Sequence, residues 1–140
     1  KGASAWPVIL LVSGIIMEVV IAGLVVAQLF SNSLLSQQLA VEALETAKGG
    51  AQDAVNRVIG YIDCPDAVYC PSTYTVTIGS SSACVNIGSI SGGTMTIYSK
   101  GSKFTREKTI EATLGVSVSE AEVTVHSFKE IETPDGFIDC

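Results

Sequence analysis

The chain has 140 residues, 47% of them hydrophobic, with four cysteines, one histidine and a formal net charge of −6. That length allows one small domain beside one membrane segment. The acidic balance argues against a nucleic-acid partner held by bulk electrostatics, and no specific nucleic acid is expected. No Gly-rich phosphate loop, His-Glu zinc motif or Gly-x-Ser-x-Gly elbow occurs. No constellation of nucleophile, base and orienting group points to an enzyme, and no cofactor or metal is expected.

Mean hydropathy is +0.44, and most of it comes from the first 30 residues. Gly2 to Phe30 carries one charge, Glu18. A helix of roughly 20 apolar residues crosses the hydrocarbon core of a bilayer, so this run suffices. A cleavable secretory signal has an apolar core of about 7–15 residues. The run here is about twice as long, and helix-forming sequence continues out of it, so the segment is expected to remain. Trp6 beside Lys1 has the composition of an interface anchor, and Pro7 is tolerated in a first helical turn.

No proline occurs from Val8 to Cys64, and one helix is predicted to about Tyr61. It would be about 85–90 Å long, near three times the bilayer core. Leu35, Leu39, Leu44, Ala47, Ala51, Ala54, Val55, Val58 and Ile62 recur mostly three and four apart, which predicts one buried stripe. Gly49-Gly50 within it is either a bend or a point of close packing. Beyond Pro65 the texture is β. Strands are predicted over 73–78, 83–87, 94–99, about 104–118 and 121–131. Turns are expected at Gly79–Ser82, Gly88–Gly93, Gly101-Ser102 and Thr133–Gly136. Short connections favour an antiparallel meander. The expectation is an α+β fold, with residues 31–63 continuing the hydrophobic helix of residues 1–30. A disulfide-stapled β domain, 64–140, would pack on the second half of that helix.

Four cysteines allow three pairings. Cys64 and Cys70 flank a short loop and are expected to pair locally, leaving Cys84 for Cys140; Cys64–Cys84 with Cys70–Cys140 is the alternative. Lys100, Lys103, Arg106 and Lys108 hold half the basic residues. They read either as a solvated hairpin or as a face that meets acidic groups of a neighbour. His126 is expected to face solvent. Ser80–Ser82 and Ser89–Ser91 are candidate sites for O-linked sugar.

Two stretches carry a family likeness. One is Ala43 through Arg57, with Ala47, Gly49, Gly50, Ala51 and Ala54 at its centre. The other runs from Ser99 through Thr113 and on to Val123–Ile131. With the N-terminal apolar helix, they make the whole chain resemble the type IV pilin family, in detail a divergent, PilX-like bacterial pilin or pseudopilin. The family usually has Phe or Met first after processing and Glu fifth. Lys1 and Ala5 stand at those places here, and Pro7 would be fifth if processing followed Gly2. The usual helix-breaking proline further along is also missing.

The resemblance implies a homo-oligomeric helical filament outside the cell. Its subunits would be stored in the cytoplasmic membrane and handled by pilus assembly machinery. Residues 1–30 would then form the filament core. Subunit packing is assigned to Trp6, Val8, Leu11, Ile15, Glu18, Val19, Ala22, Val26 and Leu29. Glu18 is the sharpest feature, because a charge in mid-membrane costs a few kcal/mol and is usually paired. The sequence reading gives it Lys1 of a neighbouring copy as a register partner; the alternative is a protonated or hydrogen-bonded Glu18 beside Ser13 or Gln28. A minor pilin, a secretion pseudopilin and a monomeric anchored ectodomain are the other readings. Adhesion, motility and DNA uptake are equally compatible.

Overall fold

The structure is a computed structural model that describes residues 5–60, 70–117 and 122–140. One helix, α1 (Ala5–Gly60), precedes five strands: β1 (Thr73–Ile78), β2 (Ser81–Ile87), β3 (Thr94–Lys103), β4 (Arg106–Ser117) and β5 (Glu122–Ile131). The strands form one antiparallel sheet in the order β1-β2-β3-β4-β5, a meander. The fold is α+β, as expected. The chain divides into two compact units, Lys1–Gln37 and Gln38–Cys140.

In the second unit, α1 buries Ala43, Thr46, Ala47, Ala51, Ala54, Val55 and Val58. The sheet answers with alternate residues, as a pleated strand requires. Val85 and Ile87 come from β2, Met95 and Ile97 from β3, and Ala112, Leu114 and Val116 from β4. Thr46 is tolerated in this interface because its hydroxyl donates to the Glu42 carbonyl at 2.8 Å. The expected stripe is displaced at its start. Leu35 is exposed, Leu39 and Leu44 are half-buried, and Ala43 and Thr46 are in its place; Ile62 lies outside the described residues.

Gly49-Gly50 does not break the helix; it is a point of close packing. A Cβ at Gly50 would lie 2.7 Å from Ala83 Cβ and 3.1 Å from Val85 Cγ2. Gly101 corrects the expected turn. It lies inside β3, where its backbone meets that of α1; a Cβ there would overlap the Ala43 carbonyl and the Ala47 amide. The glycine serves close approach, and the reversal comes later, at Phe104-Thr105, between the paired Lys103 and Arg106. Likewise β2 starts at Ser81, so the first turn is only Gly79-Ser80. The helix end expected near Tyr61 lies outside the described residues.

After β5 the chain turns at Pro134–Phe137, where the Phe137 amide donates to the Pro134 carbonyl at 3.2 Å. It then crosses the sheet face opposite α1. Asn86 Nδ2 donates to the Ile138 carbonyl at 3.0 Å, and Cys140 is disulfide-bonded to Cys84. Cys70 is also disulfide-bonded. Cys64, its expected partner, lies outside the described residues.

Candidate assembly surface

The first unit is a helix of large side chains with nothing of its own chain over them. Every large apolar residue from Trp6 to Phe30 is exposed, from 48% at Val12 to 73% at Trp6. Trp6, Val8, Leu11, Ile15, Glu18, Val19, Ala22, Val26 and Leu29 are all exposed, and their spacing puts all but Trp6 along one face. That set is too narrow as a description. Ile9, Leu10, Ile16, Met17, Val20 and Leu24 are equally exposed on other faces. A single apolar seam suits a two-stranded coil, whereas a helix apolar all round suits lipid or several neighbouring helices at once.

The polar residues of this stretch divide in two. Ser13 is satisfied within its own helix, its hydroxyl donating to the Leu10 carbonyl at 2.9 Å. Glu18 is exposed with Gly14 one turn before it, and no heavy atom lies within 4 Å of where a Cβ on Gly14 would be. That leaves room beside the carboxylate for a group from another molecule. Lys1 lies outside the described residues, so the structure does not place the Lys1–Glu18 pair.

Two ionic clusters fasten the sheet to α1. Lys103 continues the inward alternation of Ile97, Ser99 and Gly101 and is 6% exposed. Its ammonium donates to Glu42 Oε1 at 2.6 Å and to the Ser80 hydroxyl. Ser81 Oγ donates to the same Glu42 oxygen at 3.3 Å. The Lys103 hydrogen bond holds the Glu42 carboxyl below the usual carboxylate range. On the other side, Arg57 Nε donates to Asp53 at 2.7 Å, and the guanidinium stacks 4.4 Å over the Tyr74 ring. Burial, and then the neighbouring Asp53 carboxylate, push the Tyr74 phenol upward.

These contacts change two expectations. Ser80, Ser81 and Ser82 are not free serines awaiting sugar. Ser80 and Ser81 belong to the Glu42 cluster, and Ser82 is hydrogen-bonded to Ser102 at 3.1 Å. The basic hairpin is not simply solvated either, because Lys103 pairs with Glu42 and Lys100 with Asp139 of the C-terminal segment. Lys100 also lies 5.1 Å from the Phe137 ring centroid. The parity of Lys103 with Ile97 is the sequence signal that could have revealed its burial.

His126 is exposed and forms a β-bulge. Thr113 faces Ser127 while Leu114 faces Val125, so His126 is the extra residue. Among the described residues no group of three His, Cys, Asp or Glu side chains is placed to hold a metal ion. Comparison of the chain with protein-family models, with curated proteins and with solved structures returned no match, so the functional reading rests on the residues and the fold themselves.

Proposed function

We propose that this chain is the structural subunit of a type IV pilus-like extracellular filament. It waits in the cytoplasmic membrane through residues 1–30 and is polymerised by packing of that helix. The observation that carries the proposal is the exposure of large apolar side chains on every face of Trp6–Phe30. Each such side chain contributes about 1.5–3 kcal/mol when it is removed from water, so the stretch needs a covering on all sides. Lipid supplies that covering before assembly and neighbouring helices supply it afterwards. A plain anchor needs about 20 residues, whereas α1 has 56 and ends beneath a sheet. The proposal assigns no catalytic role and no cofactor.

Cryo-electron microscopy of material sheared from intact cells, with helical reconstruction, tests it. The expected result is a filament with residues 1–30 bundled at its axis. A chain that stays monomeric in the membrane fraction, with no filament containing it, sinks the proposal in favour of an anchored ectodomain. Presence only at filament tips or in short periplasmic fibres would assign it to the minor pilins or pseudopilins.

A further inference from the structure

Phe104 is the only described non-glycine residue with a positive φ, 51°. It holds the first place of the two-residue β3–β4 turn, where glycine is the usual occupant because a Cβ there crowds the backbone. The ring gains little from its own chain. It is 83% exposed, with the Lys103 ammonium 5.5 Å from its centroid. A strained backbone that holds a bare aromatic outward points to an interaction outside the subunit.

The second observation is a groove without an occupant. On β5, Val125 faces Leu114 and Phe128 faces Ala112, and both β4 residues are fully buried under α1. Val125 and Phe128 share that sheet face yet stay 47% and 46% exposed. Between α1 and β5 runs an open groove of about 360 Å³. Leu44, Ile110 and Phe128 give it an apolar floor, with Lys48, Gln52 and Glu130 along its edges.

We propose that Phe104 of one copy of this chain seats in the α1–β5 groove of another copy. The groove is apolar-floored and large enough for one aromatic ring. Charge favours a second copy as the partner. Lys103 and Arg106 flank Phe104, whereas residues 122–140 around the groove carry Glu122, Glu130, Glu132, Asp135 and Asp139 against Lys129. Knob and groove are built from different residues, so the contact is head-to-tail. Such a contact propagates into a ring or fibre rather than closing as a two-fold dimer. The inference rests on the filament reading only in requiring that copies meet.

The test places a benzophenone-bearing phenylalanine at position 104 of the full-length chain, in cells, with a second variant carrying the same probe at Val19. The expected result is a photo-dimer through residue 104 that maps to 44–52 or 128–130 of the other copy. Dimers from position 104 that map elsewhere overturn the docking. So does an absence of dimers at 104 when position 19 gives them, and the filament reading then stands. Absence at both positions removes both readings, while groove dimers from 104 without dimers from 19 support the docking and remove the helix-packed filament. Moving the probe to Phe128 and adding Phe104→Asn supplies an independent check, since asparagine accepts a left-handed backbone. Dimer yield should fall at least five-fold with the thermal midpoint unchanged or raised, and an unchanged yield overturns the proposal.

Discussion

The first and second halves of α1 are both rich in apolar residues, but in opposite kinds of side chain. Trp6–Phe30 is built from Val, Ile and Leu, and they are exposed. Ala43–Val58 puts alanine and glycine on its buried stripe. Small residues let a helix lie against a sheet closely enough for backbone to touch backbone, as Gly50 and Gly101 do here. Large residues bury most area against a partner of their own kind. One half of the helix is therefore completed by its own chain and the other half by other molecules. The comparison teaches that the size of the apolar residues, rather than their number, separates a surface finished within the subunit from one that waits for a partner.

The strongest way to test the self-completed half is to remove its covalent tie. Cys84 and Cys140 close a loop with a sequence separation of 56. Chain entropy makes such a bond worth about 4 kcal/mol. The double variant Cys84→Ser, Cys140→Ser should lose that much in denaturant unfolding of the full chain in detergent. A loss below about 1 kcal/mol would show that the C-terminal segment adds nothing to the sheet. Gly101→Val attacks the close approach itself. Its Cβ would collide with backbone rather than with a side chain that can swing away. The expected loss is about 3 kcal/mol, the upper end for overpacking, read in the same unfolding curve.

The partner-dependent half should respond in the opposite way. Leu24 is 60% exposed, so Leu24→Asp removes no contact within the chain. Unfolding of the sheet unit should shift by less than about 0.5 kcal/mol. Membrane insertion should suffer by about 2.5–3.5 kcal/mol, as a charge placed well inside a span does. Fractionation of cells reads this as loss of the chain from the membrane. If Leu24→Asp lowers the stability of the sheet unit as much as Gly101→Val, the division of labour along α1 is wrong.

Regular periodicity made much of this legible. Ile110, Ala112, Leu114 and Val116 alternate without interruption, and the observed β4 keeps that alternation facing α1. The proline-free run announced the helix, and the described strands β1 to β5 overlap the five predicted ones. Irregularity was not legible. The bulge at His126 adds one residue and changes the phase of β5, so that Phe128 rather than Ser127 shares the inward face with Val125. No residue pattern announces such an insertion. Gly101 was misread because a glycine that admits a helix backbone looks in sequence like a glycine that turns a chain. Lys103 was assigned to solvent by its charge, although its place in the alternation set it opposite Glu42. The exposed faces of Trp6–Phe30 were legible as a surface, while the groove beside β5 depends on how far α1 extends across the sheet, a tertiary fact.

The smallest expected effect concerns the Glu42–Lys103 contact, which fastens β3 to the start of the buried stripe. Lys103 holds the Glu42 carboxyl below its ordinary range. A carboxylate whose folded pKa is depressed adds stability that is fully present above its unfolded pKa. That contribution fades as pH falls through the folded value. Stability should therefore be flat from neutral pH down to the usual carboxylate range and decline below it. Glu42→Gln should remove part of that acid-side decline and lower stability slightly at neutral pH, because the amide still accepts a hydrogen bond from Lys103 without its charge. Thermal midpoints of both proteins across pH 3 to 7 decide the matter, roughly bracketing the carboxylate range. Parallel curves would mean that Glu42 titrates alike in the folded and unfolded chains, and that the fastening of helix to sheet rests on the alanine–glycine packing alone.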